Sequence, residues 1–238
     1  MSIFRFKEIT MAKYKYVLFD ADATLLDFKK SEHEAVIDVL NKFELPVSEE
    51  IIKKYSSIND EHWKMLERGE IEKNKLYASR WARLCEFYSF DRDFQAMSDF
   101  YTETLATKSY LMDGALEICE KLYGKVDLYI VTNGKKSVQD GRFDPSPLAP
   151  MFLGVFVSEE LGYEKPRIEF FDIVESRIPG FDKSKAIIIG DSLTSDMQGG
   201  INAGIATCWF NKDKKPVPSN MELDYVVNTL SEIESIIL

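Results

Sequence analysis

Histidine and cysteine are scarce in this 238-residue chain, and the scarcity narrows its chemistry. Only His33 and His62 are present, so a Ser–His–Asp or Cys–His mechanism has little to draw on. Cys85, Cys119 and Cys208 are widely spaced and odd in number. They form neither a metal-ligand spacing nor a disulfide framework, and read as small apolar residues in a reducing compartment. A basic excess is lacking too: 30 Lys and Arg face 40 Asp and Glu, a formal charge of −10, and no basic stripe with interleaved aromatics stands out. Binding to nucleic acid or to an acidic membrane through the overall field is therefore disfavoured. A small anionic substrate remains compatible, because a metal ion and one or two lysines reverse the potential locally. No apolar run approaches the ~18–20 residues of a membrane span. Residues 1–10 carry Arg5, Lys7 and Glu8 without an apolar stretch or a small-residue cleavage site, and Met11 opens a second plausible start. They are expected to take no part in the fold, and the chain is expected to be cytoplasmic.

What is present is a set of short apolar runs ending in polar residues: 16–20 (YVLFD), 126–132 (VDLYIVT), 153–158 (LGVFVS), 186–191 (AIIIGD) and 205–210 (IATCWF). Each has the length of a buried strand. Helix-period segments at 114–123, 164–175 and 194–203 precede the second, fourth and fifth. This alternation predicts an α/β fold, a doubly wound parallel sheet with crossover helices, with 225–228 as an edge strand before a closing helix at 230–237. Between the first two strands the composition changes. Residues 29–108 hold almost no glycine or proline and read as helices over about 30–43, 48–66, 71–88 and 92–108, with breaks at Pro46 and Gly69. An insertion of roughly 80 residues is too long for a crossover, which predicts a helical lid over the carboxyl ends of the strands.

Ligands of open parallel sheets sit outside those carboxyl ends, so the polar residues that end the runs should converge. The first strand delivers Asp20 and Asp22, the second Thr132 and Asn133, the fourth Asp191 followed by Asp196, and Lys165 precedes Pro166 after the third. Taken singly, each is a turn or cap residue. Taken together, the two carboxylates at i and i+2 leaving the first strand, a third from the fourth strand, a hydroxyl and a lysine form a coherent set, and hard carboxylate oxygens suit Mg2+ shared with a phosphate.

The ordered set resembles the haloacid dehalogenase superfamily: FDADAT, VTNG, EKP and GDSLTSD stand for its four motifs, and the insertion lies where that family carries its helical C1 cap. SEELGYEKP and GDSLTSDMQGGINAGIATCWFN are similar to its pyrimidine 5′-nucleotidase branch. The resemblance implies a Rossmann-like core over residues 11–27 and 110–238 with a cap over 28–109. It implies a Mg2+-dependent phosphatase acting on a small phosphate ester, with a nucleoside monophosphate as the first candidate. Asp20 would be the nucleophile and Asp22 the general acid, then base. Mg2+ would bind Asp20, the backbone carbonyl of Asp22, and Asp191. Thr132 and the backbone N–H of Asn133 would cradle phosphate oxygens, Lys165 would neutralise the transferring group, and Asp196 would support the metal site or Lys165. Dehalogenation needs no proton donor at position 22, and the carboxylate there points to phosphate esters.

A sugar-phosphate or phosphoglycolate phosphatase shares this chemistry and stays open. A non-catalytic binding module would tolerate losses among Asp20, Asp22, Thr132, Lys165 and Asp191, and a receiver domain would lack the long insertion. Ala23 stands where many members have glycine, so its turn must accept a Cβ. The prolines of GRFDPSPLAP predict a short or irregular helix after the second motif, away from the reacting groups. His62, Trp63, Tyr77 and Trp81 could stack a base, although their spacing also suits a helical core. Lys29, Lys30, Lys135 and Lys136 follow strand ends, where they could attract an anion or sit solvated. The sequence assigns no oligomeric state.

Overall fold

The structure, a computed structural model, describes residues 12–238; the expectation for residues 1–10 and the alternative start at Met11 lie outside them. Strand β1 (Tyr16–Phe19) is buried along its whole length, as its uninterrupted apolar run requires. Four helices follow: α1 (Phe28–Lys42), α2 (Glu49–Glu67), α3 (Lys73–Tyr88) and α4 (Phe94–Leu105). The chain then runs through α5 (Ala115–Leu122), β2 (Asp127–Thr132), α6 (Lys136–Phe143), β3 (Gly154–Val157), α7 (Ser158–Leu161), α8 (Ile168–Arg177) and β4 (Ala186–Gly190). It ends with α9 (Gln198–Ala203), β5 (Ala206–Phe210), β6 (Tyr225–Val227) and α10 (Glu234–Ile237).

All strand pairs are parallel, in the order β3-β2-β1-β4-β5-β6. Alternate residues feed two separate cores, the consequence of the period-2 strand. Val17, Phe19, Leu128, Ile130, Ile187 and Ile189 pack with Ile118 and Leu122 of α5 and with the C-terminal turns at Leu230, Ile233 and Ile237. Leu18, Val131, Ile188 and Trp209 face the other way, onto Phe170, Phe171 and Val174 of α8, Met197 just before α9 and Ala203 at its end. The doubly wound sheet expected from the sequence is thus present. The closing helix differs in detail: it starts as a 3-10 turn (Leu230–Ile233) held by a Thr229–Glu232 capping box, then becomes α10.

The four inserted helices bury their own apolar faces against one another, around Val36, Leu40, Tyr55, Trp81, Leu84, Met97 and Tyr101. Their ends follow capping chemistry. Ser48 accepts from the Ile51 amide to start α2, Gly69 at φ +71° follows its end, and Asp93 accepts from the Gln95 and Ala96 amides to start α4. That cap sets the start of the fourth helix later than the sequence pattern gave. The helical unit reaches the carboxyl end of the sheet: Lys73 Nζ donates to Ser158 Oγ at 2.5 Å, and Thr194 Oγ1 donates to Glu67 at 2.7 Å.

Chain order reverses beside β1, since β2 and β3 lie on one side of it and β4 to β6 on the other. This switch point opens a crevice between the ends of β1 and β4, where ligands of open sheets bind.

Candidate active site

Asp20 is the first residue beyond β1, and its amide still bonds the Ile189 carbonyl of β4 at 2.9 Å. Its side chain is therefore aimed by the sheet ladder into the switch-point crevice. Asp191 follows β4, and its carbonyl is held by Trp209 Nε1 at 2.9 Å. Asp196 sits on a π-helical turn (Leu193–Met197) that leads into α9. It folds back over Gly190, where a Cβ would lie 2.2 Å from Asp196 Oδ2, so only glycine allows that approach. Carboxylate oxygens of Asp20, Asp191 and Asp196 all lie within 4.8 Å of one another.

Lys165 binds this cluster together. Its ammonium donates to Asp20 Oδ1 at 2.8 Å, to Asp196 Oδ1 at 2.6 Å and to the Val131 carbonyl at 2.7 Å, and the residue is 1% exposed. All three donors are used, which is what a buried ammonium requires. Burial pulls Lys165 down, but the charges of Asp196 and Asp20 outweigh it and hold the ammonium above its usual range. Burial drives Asp20 well above the ordinary carboxylate range against the pull of Lys165, and Asp196 and Asp191 push it further. Burial, then the Asp196 charge, pushes Asp191 up to about 7. One lysine thus leaves the three carboxylates with uncompensated negative charge. A hard-oxygen cluster with that imbalance fits a divalent cation such as Mg2+. Asp196 already accepts from Lys165 and from the Ser192 amide at 3.1 Å, which leaves Asp20 and Asp191 as the freer donors.

Thr132 ends β2 beside them. Its Oγ1 accepts from the Gly134 amide at 3.0 Å and from Gln139 Nε2 at 3.0 Å, so its own hydroxyl proton remains available to an anion. Asn133 spends its side chain on Lys165: Nδ2 donates to the Lys165 carbonyl at 2.9 Å, and Oδ1 accepts from the Lys165 amide at 2.9 Å. This reciprocal clamp locks the lysine loop to the end of β2. The turn after Asp22 does accept a Cβ, with Ala23 at φ +62°.

Asp22 is placed differently from the carboxylate cluster. Its Oδ2 accepts from Gln139 Nε2 at 2.6 Å and its Oδ1 from Arg142 Nη1. Both partners lie on α6, which is short as the prolines predicted. The expectation that this segment stays clear of the reacting groups is corrected here, because Arg142 belongs to GRFDPSPLAP and touches Asp22 directly. The Gln-x-x-Arg spacing, one helical face directly after the TNG turn, was the signal available for both residues.

Between the inserted helices and the TNG loop lies a cleft of about 380 Å3, lined by Asp22, Phe28, Trp63, Tyr77, Arg80, Lys135 and Gln139 among others. The Tyr77 hydroxyl and Gln139 Oε1 are buried without a hydrogen-bond partner among the described residues. Of the four aromatic candidates, Trp63 and Tyr77 reach the cleft. Trp81 does not: it is fully buried, its ring 4.3 Å from that of Tyr55, and is core. His62 bonds the Ile58 carbonyl of its own helix. Among the lysines, Lys135 lines the cleft, whereas Lys136 is paired with Asp140 at 2.6 Å and Lys30 lies over the Tyr110 ring. No helix of the described residues is long and apolar enough to cross a membrane.

The family model described as haloacid dehalogenase-like hydrolase matches residues 17–210. The chain is 36% identical to the HAD-hydrolase YfnB of Bacillus subtilis over 95% of this chain and 97% of that protein. It is 38% identical to the pyrimidine 5′-nucleotidase PynA of Streptococcus pneumoniae, over 83% and 84% of the two lengths. It is 26% identical to the pyrimidine 5′-nucleotidase YjjG of Escherichia coli over 94% and 98%. The crystal structure of YfnB bound to magnesium superposes with a TM-score of 0.90, covering 94% of this chain and 98% of that one.

Proposed function

The chain belongs to the haloacid dehalogenase-like hydrolases, and from that premise we propose that it is a Mg2+-dependent phosphatase of a small phosphomonoester, a pyrimidine nucleoside 5′-monophosphate, working through a phospho-aspartate at Asp20. One observation carries the reading: a buried lysine bridging Asp20 and Asp196 at the switch point, with Asp22 two residues beyond the nucleophile at the wall of a cleft.

Residues 11–27 and 110–238 form the catalytic core in this reading, and 28–109 the cap. An Asp20 carboxylate oxygen attacks phosphorus, and the bond to the ester oxygen breaks as that oxygen takes a proton from Asp22. Water then attacks phosphorus of the acyl phosphate and gives its proton to Asp22, releasing inorganic phosphate and restoring Asp20. Lys165 and the Thr132 hydroxyl stabilise the charge on the transferring group, with the backbone N–H of Asn133 beside them. Asp20, Asp191 and the Asp22 carbonyl would hold Mg2+, with Asp196 behind, and the ion would neutralise the clash between carboxylate and phosphate. The rest of the machinery is the chain's own: a ladder that aims Asp20 and a clamp that fixes Lys165.

The cleft supports a nucleotide. Trp63 and Tyr77 offer flat faces, and Arg80 and Lys135 offer donors to ring carbonyls. The relatives PynA and YjjG are named for pyrimidine nucleotides. A panel of UMP, dUMP, dTMP, sugar phosphates and phosphoglycolate, assayed for phosphate release with Mg2+, tests the reading. Higher kcat/KM on the pyrimidine nucleotides is expected. Strong turnover of a sugar phosphate with none of the nucleotides would transfer the proposal to that substrate class.

A further inference from the structure

Asp22 is held by residues that reach beyond the reacting groups. Arg142 is fully buried, and its one ion pair among the described residues is with Asp22. The rest of the guanidinium runs to the two chain crossings between the core and the inserted helices. Its Nε donates to the Lys108 carbonyl at 3.2 Å, where the chain returns, and Nη2 lies 3.4 Å from Ser31 Oγ, just past where the chain leaves. Ser31 Oγ ties the crossings to each other, 2.8 Å from the Asp27 carbonyl and 3.0 Å from that of Lys108. Ser109 Oγ donates back to the Arg142 carbonyl, and the Phe28 ring lies 5.7 Å from the guanidinium.

The backbone of α6 is seated on the same crossing. A Cβ on Gly141 would fall 2.6 Å from the Ala106 carbonyl oxygen, so the helix has no room to move towards it. Gln139 completes the arrangement by bridging Thr132 Oγ1 and Asp22 Oδ2 with one amide nitrogen.

We infer that Arg142 is a positioning residue: with Gln139 it fixes the rotamer of Asp22, and it ties that rotamer to the hinge, so that Asp22 is set for proton transfer when the cap is seated. The inference rests on the reading of Asp22 as acid and base. Oδ1 stays anchored on Arg142 throughout. Oδ2 exchanges its Gln139 contact for the ester oxygen, to which it gives its proton, and later receives one from the attacking water. A carboxyl group free to rotate would spend much of its time away from that oxygen, and misplacement by about 1 Å can cost about a hundredfold.

The test is a double-mutant cycle on purified full-length protein with Mg2+, comparing UMP, which has an alkoxide leaving group, with p-nitrophenyl phosphate. Arg142→Met is expected to lower kcat on UMP by about 10- to 100-fold and on the aryl ester by much less. KM should change by less than about threefold, and Arg142→Lys should recover part of the loss. Combining Asp22→Asn with Arg142→Met should cost no more than about threefold beyond Asp22→Asn alone, because the arginine acts through the aspartate. Should Arg142→Met not fold, Gln139→Leu runs the same cycle from the other oxygen. Equal losses on both esters, or losses that multiply in the double variant, would overturn the inference and leave a hinge brace only. If Asp22→Asn itself spares UMP turnover, the acid–base reading falls and the inference with it.

Discussion

At the scale of single residues, the site is a problem of charge balance solved by Lys165. A buried ammonium needs every proton placed, and the two aspartates and the Val131 carbonyl supply the acceptors. Asp20 can change to Asn without removing an acceptor, since an amide oxygen replaces Oδ1. Asp20→Asn is therefore expected to fold, with a melting temperature equal to or above the parent, because one of three mutually repelling carboxylates is gone. Its turnover should fall by on the order of 10⁴-fold or more, as for loss of a covalent nucleophile. Acid-quenched reactions should trap no phosphoenzyme. Phosphate release near the parent rate would assign the attack to another group. Asp20, Thr132, Lys165, Asp191 and Asp196 were legible in the sequence because each ends or follows a buried run, and the sheet dictates where such ends meet. Arg142 was not. A basic residue in a short helix reads as solvated, and its partner Asp22 is 120 positions away; only the packing of α6 against the hinge turns it inward.

At the scale of elements, the inserted helices carry a polar thread through their interface. Ser56 Oγ donates to Glu32 Oε2 at 2.5 Å and Asn59 Nδ2 to Glu32 Oε1 at 2.8 Å; Arg80, which lines the cleft, donates to Asn59 Oδ1. Glu32 is 5% exposed, and burial raises its carboxyl above the usual value despite the bond from Ser56, with Asp60 adding to the rise and Arg80 and Asn59 opposing it. The folded protein then keeps a proton that the unfolded chain releases near pH 4.5. Stability from this group is full below that pH and declines as pH rises through the folded value. Glu32→Gln should erase the decline: relative to the parent, the variant should gain stability between about pH 5 and pH 8. Parallel denaturation curves at the two pH values check it, and a variant that loses ground as pH rises would contradict the assignment. The four helices were readable from the absence of glycine and proline, and their ends less so, because caps such as Asp93 act within one residue. Which aromatic faces the cleft was not readable at all. Trp81 and Tyr77 are one helical turn apart on α3, yet the first is core and the second lines the cleft, a division set by the neighbouring helices α2 and α4.

At the scale of the whole molecule, the sheet order decides why carboxylates from opposite halves of the chain face each other. β1 lies between β2 and β4, so Asp20 and Asp191 end neighbouring strands although the sequence puts the four inserted helices, β2 and β3 between them. Parallel pairing brings all the strand ends to one side, and that side accumulates charge which the fold alone leaves unbalanced. A cation binding there should therefore stabilise the folded chain as well as support turnover. At free Mg2+ about 100 times its dissociation constant, the linkage is worth about 2.7 kcal/mol, which for a chain of this length corresponds to roughly 5–10 °C in melting temperature. EDTA should abolish phosphate release, and Mg2+ should restore both the activity and the melting temperature. Asp191→Ala separates a specific site from general screening. In EDTA it should melt at or above the parent, since a repelling carboxylate has been removed, and added Mg2+ should shift it far less. An undiminished shift in Asp191→Ala would place the cation elsewhere. The comparison works because the same carboxylate that destabilises the metal-free fold is the one that earns its position when the ion arrives.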